Sequence, residues 1–160
     1  MTYPVYLTEH FQWRDVIVSD TAARLGIDNS LPPELIRAAE LTAMKMEKVR
    51  TILGFPIFIN SWYRGPALQA LPQFFNPHSQ HPKAEAVDFV CPGFGPPEHI
   101  CKALLEYKDL LRWDQLIFEH TWVHASWSSD PNVKPRGDVL SLLESKGYAI
   151  GITDKKGVPL

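Results

Sequence analysis

His81 and Asp88 stand seven residues apart in the stretch Ser79-Gln80-His81-Pro82-Lys83-Ala84-Glu85-Ala86-Val87-Asp88-Phe89. A neutral imidazole offers a nitrogen and an aspartate an oxygen, and this mixed donor set suits zinc when a third protein ligand joins and one position stays open to water. The spacing alone is weak evidence, because in a chain of this composition some His and Asp fall seven apart by chance. A second stretch, residues 114–127, reads as two short β-like runs flanking a tight turn, with Glu119 and His124 on either side of it. His78 lies three residues before His81 and competes with it as a ligand, whereas Met44 and Met46 fall in a helical pattern and read as packing.

These groups need elements to position them. Residues 84–90 alternate small apolar with polar residues and end in β-formers, so they read as a strand. Pro82 leaves His81 in the preceding loop, free to fold back toward Asp88. Residues 34–53 carry apolar residues at helical spacing, among them Leu35, Ala38, Ala39, Thr42, Met46, Val49 and Leu53, and Gly54 stops them. Residues 56–60 read as a buried strand that delivers Ser61-Trp62-Tyr63-Arg64 to its carboxyl end. Residues 65–82 have no period and suggest a long binding loop, in which Phe74 and Phe75 either line a substrate wall or pin the loop to the core.

The remainder supplies short helices over 8–26, with Thr8 and Ser19 or Asp20 as caps, a turn at 28–33, and a helix over 98–110 entered through Pro97. A further strand falls at 136–143, and the polar tail from Thr153 reads as frayed. The expected fold class is α+β, with N-terminal helices packed on a small, mostly antiparallel sheet that carries the zinc site. Residues 1–160 read as one domain, with a core from about 8 to 150.

At its polar motifs the chain resembles the zinc D-alanyl-D-alanine carboxypeptidase family of peptidoglycan peptidases, especially compact domains of bacterial cell-wall enzymes and phage lysins. The family pattern Ser-x-His-x-x-Gly-x-Ala-x-Asp is met by Ser79, His81, Ala86 and Asp88, with Ala84 in place of the glycine. An acidic residue before a Trp-x-His strand is met by Glu119 and Trp122-Val123-His124. The arginine motif Ser-Gly-Tyr-Arg-Ser-Pro appears as Ser61-Trp62-Tyr63-Arg64-Gly65-Pro66, and residues 21–29 with the following Pro-Pro extend the similarity over most of 8–150.

The resemblance implies that His81, Asp88 and His124 hold zinc and that Glu119 is the general base, with His120 as its competitor. It implies that Arg64 meets the oxyanion or a substrate carboxylate, with Ser79 and Tyr63 beside it in substrate binding. The substrate it implies is the stem peptide of peptidoglycan, cut by a D,D-carboxypeptidase or an endopeptidase. Ala84, Trp62, Gly65 and Gln69 depart from the pattern, and they keep a second reading open: a repurposed member serving as a structural or binding component among other phage proteins. A D-amino-acid dipeptidase is the third reading, distinguished by a closed pocket.

Composition narrows the partners. A chain of 160 residues can bury roughly 70% of its unfolded surface in one core. A net charge of −2 gives no reason to expect nucleic acid as a partner, and no apolar run is long enough to span a bilayer. Residues 1–9 lack the features of a secretory signal, so synthesis in the cytoplasm is expected, with action on the cell wall after release or as part of a virion. Cys91 and Cys101 are expected to be free thiols.

Overall fold

The computed structural model describes residues 4–160, so the reading of residues 1–9 falls partly outside it. Two short helices come first, α1 (Trp13–Ile17) and α2 (Asp20–Leu25). Ser19 Oγ accepts the Ala22 N–H at 3.1 Å at the start of α2, and Gly26, at φ 67°, ends it. Thr8 caps no helix; its hydroxyl donates to Glu47 on α3 (Ile36–Leu53), the long helix. A 3₁₀ turn over Pro33–Leu35 leads into α3, and Gly54 at φ 73° closes it. The buried stripe of α3 is Ala38, Ala39, Thr42, Ala43, Met46, Val49 and Leu53, whose small members bring the helix close to the sheet. Met44, by contrast, lies exposed on the other side.

Among the described residues six strands form one sheet in the order β1-β2-β4-β3-β5-β6. They are β1 (Phe58–Ser61), β2 (Ala86–Val90), β3 (Gln115–Phe118), β4 (Val123–Ser126), β5 (Asp138–Leu142) and β6 (Tyr148–Ile150). The pairings are antiparallel except β3 with β5, which is parallel. The α+β class with a mostly antiparallel sheet is therefore what the chain adopts. Val87 and Phe89 of β2, Leu116 and Phe118 of β3, and Val123 and Ala125 of β4 belong to the core cluster, with Ala39, Met46, Val49, Ile100 and Leu104 of the helices. Alternation along a strand sends every second side chain to the opposite face. That face receives Asp88, His124 and Ile117, which pair across β2, β4 and β3.

Several local expectations change. The segment 65–82 is not wholly irregular: it holds α4 (Pro66–Gln69) and ends in a 3₁₀ turn at His81–Lys83. The helix read over 98–110 is two, α5 (Pro97–Leu105) and α6 (Lys108–Leu111), parted at Tyr107, whose backbone at φ −113°, ψ 21° leaves the helical region. The tail does not fray, because Asp154 Oδ1 accepts the N–H groups of Lys156 and Val158 and the Leu160 N–H donates to the Ile152 carbonyl. Cys91 and Cys101 are buried free thiols, and burial pushes the Cys101 pKa up to about 12. No helix among the described residues is long and apolar enough to cross a membrane.

The parallel pairing of β5 is fastened by Asp114. Its Oδ1 accepts the Arg136 N–H at 2.9 Å, its Oδ2 accepts the guanidinium Nη2 at 2.7 Å, and its own carbonyl accepts the Asp138 N–H. Burial by itself would raise the Asp114 pKa, but the bonds and charge of Arg136 outweigh it and hold the carboxyl below its ordinary 3.8. A carboxyl lowered in this way contributes stability above its unfolded pKa and loses it as pH falls through the folded one. Asp114→Asn should therefore cost about 1–3 kcal/mol at neutral pH, and the difference from wild type should shrink in acid below 3.8. Denaturant unfolding of both proteins across that range checks it, and equal stability at neutral pH would contradict it.

Candidate active site

Three elements bring the polar residues together. Pro82 and the 3₁₀ turn after Gln80 turn His81 back over the start of β2, and Ala84 completes the reversal in the left-handed region at φ 57°. A glycine takes that conformation freely, whereas an alanine there costs about 1–2 kcal/mol. The Ala84 carbonyl is held from two sides, by the Thr42 hydroxyl of α3 and by the Trp62 indole N–H, each at 3.0 Å. Thus two departures from the family pattern, Ala84 and Trp62, meet in one contact. Trp62 also fixes the histidine, since its carbonyl can only accept and the His81 Nδ1–H donates to it at 2.6 Å. That tautomer leaves the lone pair of His81 Nε2 free to ligate a metal, 3.3 Å from Asp88 Oδ2.

β4 supplies the third member. His124 pairs with Asp88 in the ladder and directs Nδ1 to Asp88 Oδ1 at 2.8 Å. The two imidazole rings meet edge to face with centroids 5.2 Å apart. The donor atoms of His81, Asp88 and His124 all lie within 4.8 Å of one another. Ligands around a tetrahedral zinc lie about 3.4 Å apart, as bond lengths of 2.0–2.2 Å require. The set of two imidazoles and one carboxylate, with one ring already oriented by a backbone carbonyl, therefore fits that ion. His78 is not among the three: it is exposed.

The charges around Asp88 explain its state. Burial would favour the neutral acid, but the positive charge that His81 carries when protonated, with the hydrogen bonds from His124 and from that protonated ring, outweighs it and keeps the carboxyl well below the usual range. Burial in turn lowers the His81 pKa, with Asp88 opposing. Arg64 closes the group, its Nη2 donating to Asp88 Oδ2 at 3.0 Å and its Nε to Ser61 Oγ at 3.1 Å. Its guanidinium lies over the Phe74 ring, 4.7 Å from the centroid. Phe74 thus pins the loop through Arg64, while Phe75 is exposed.

Glu119 follows β3 in the turn to β4, where its N–H bonds to the Trp122 carbonyl. It stands two residues after Ile117, the register partner of His124, so alternation carries it to the face of the triad. Burial raises its pKa, with the charges of His124 and Arg64 opposing and that of Asp88 adding. His120 turns the other way: at φ 65° it packs on Phe118, 4.5 Å between centroids, and its Nε2–H donates to the Leu142 carbonyl at 2.6 Å.

Ser79 Oγ accepts the His81 N–H at 3.3 Å and so caps the metal loop. Tyr63, expected to contact substrate, lies in the core at 4% exposure with its hydroxyl beside Gly65, so its position serves to hold the Arg64 loop. Asn29, in a segment whose sequence reads as a turn, takes a structural part beside the site. Its Nδ2 donates to the carbonyls of Ile17 and Tyr63, and its Oδ1 accepts the Gly65 N–H at 2.7 Å, fastening both sides of Arg64. The available signal in the sequence was an asparagine in the turn just before Pro32-Pro33, a residue type whose amide can satisfy several backbone groups at once.

The family model described as Peptidase M15 matches residues 9–126. A comparison with curated proteins gives no match. Because the matched span covers most of the chain and contains the triad, Arg64 and Glu119, the chain belongs to the peptidase M15 family and is a zinc metallopeptidase.

Proposed function

We propose that this zinc peptidase cuts a peptide bond in the stem peptides of peptidoglycan, as a D,D-carboxypeptidase or an endopeptidase. The observation that carries the reading is the setting of the triad on a sheet face that stays open at its far edge, where Tyr148 is 48% and Ile150 89% exposed. A closed pocket would select free dipeptides, whereas a face bordered by exposed side chains admits a stem still attached to its polymer. The likeness of the segments 61–66 and 79–88 to wall peptidases supports the same substrate class.

His81, Asp88 and His124 would hold the zinc, with the Trp62 carbonyl keeping the His81 ring in register. When bound there, zinc supplies a Lewis acid and lowers the pKa of water to about 7. Glu119 takes the proton of the attacking water and delivers it to the leaving amine, and its raised pKa brings it nearer the working pH. Arg64, fixed by Ser61, Asp88 and Phe74, offers its remaining N–H groups to the carbonyl oxygen as negative charge develops. Ser79 adds a hydroxyl near that oxygen, and Tyr63 acts through the Arg64 loop.

Zinc-loaded protein should release peptides or amino acids from purified peptidoglycan, read by mass spectrometry. Failure to cut wall or stem peptides while other peptides are cut would discard this substrate class. Glu119→Gln should keep its zinc and lose about 10²–10⁴ in kcat, whereas His120→Ala should stay within about tenfold of wild type, a loss of less than 1.4 kcal/mol. The reverse pattern would move the base to His120.

A further inference from the structure

Strands β5 and β6 lie beyond the residues matched to the M15 family, yet they extend the metal-bearing face. Asp88, His124, Ile117, Leu140 and Ile150 pair in turn across β2, β4, β3, β5 and β6. Leu142 and Tyr148 make the next pair. That pair is level with Glu119, because Phe118 pairs with Ser141 and the Leu142 carbonyl accepts from His120. Paired residues share a face and alternate residues return to it, so Tyr148 stands on the side of Asp88, His124 and Glu119. The intervening Ser141 confirms the alternation, being fully buried on the other face. Burial, with the charges of Glu119 and Asp88 adding, raises the Tyr148 phenol above its ordinary 10, as a ring within reach of both carboxylates would be.

Across this face the side chains run Arg64, Asp88, His124, Glu119, and then Leu142 and Tyr148. The order gives the face a direction. Arg64 meets the carbonyl oxygen at one end, while Glu119 must reach the leaving amine, so the residue carrying that amine lies toward β6. We infer that Tyr148 is a specificity-determining residue that packs against the amino acid following the scissile bond and selects it by size. A half-exposed aromatic ring supplies such contact area at small entropic cost. The inference rests on the roles proposed for Glu119 and Arg64, and it concerns the leaving side only.

The test uses the zinc-loaded full chain and two pools read by mass spectrometry, one of stem-derived peptides and one of general peptides containing D- and L-residues. Tyr148→Ala should keep its zinc, raise KM about threefold to thirtyfold with kcat nearly constant, and relax the preference for the residue after the cut while leaving that before it unchanged. Tyr148→Phe, which keeps the ring, should stay close to wild type. An unchanged preference after the cut, or a change only before it, overturns the assignment. Cleavage confined to the general pool would discard the peptidoglycan reading while still testing Tyr148, and a zinc-loaded wild type that cuts neither pool would remove both.

Discussion

Burying a carboxylate costs several kcal/mol unless opposite charge and hydrogen bonds surround it, and Asp88 is such a carboxylate, 6% exposed in the second strand of the sheet. Its two oxygens are met by Arg64 and His81 on one and His124 on the other. Removing a single partner from a buried ionic group typically costs 3–5 kcal/mol, since the remaining charge is left uncompensated. The stability of β2 and the assembly of a metal site are therefore one requirement. The arrangement that compensates Asp88 also aims two imidazole nitrogens at the same small volume.

The rest of the fold serves that requirement. β1 ends in the Arg64 loop, which Asn29 ties to the N-terminal helices. α3 reaches the metal loop through Thr42 and the Ala84 carbonyl, so the long helix supports the reversal that brings His81 to Asp88. The β3–β4 hairpin presents His124 and Glu119 together, and Asp114 with Arg136 clamps β5 beside it. Helices cover one face of the sheet, and the chemistry sits on the other.

Much of this was legible in the chain. Donor types pointed to His81 and Asp88, the family resemblance added His124, and the fold brings the three together; Pro82 marked the fold-back. Apolar periodicity found α3, and β-rich runs found β2 and β5 to within a few residues. The choice between Glu119 and His120 was not legible, because adjacent residues differ only in which face the turn gives them. The positive φ of His120 and its bond to the Leu142 carbonyl occupy that ring elsewhere, which supports the proposal of Glu119. Nor does a sequence announce that the Trp62 carbonyl holds His81, since such contacts join distant segments through backbone atoms that carry no residue signature. The tail misled for a related reason: its polar residues suggest solvation, yet Asp154 uses its side chain to order its own turn, and the Thr153 N–H donates to Ser141 Oγ.

The chemistry turns on one buried carboxylate and two imidazoles forming a zinc centre open to substrate. X-ray absorption on the zinc-loaded protein, with anomalous diffraction to locate the ion, tests it most directly. Two nitrogen ligands from His81 and His124 and one oxygen from Asp88 are expected at about 2.0–2.2 Å, with the fourth position held by solvent. A fourth protein side chain on the ion, or zinc bound to other residues, would contradict it.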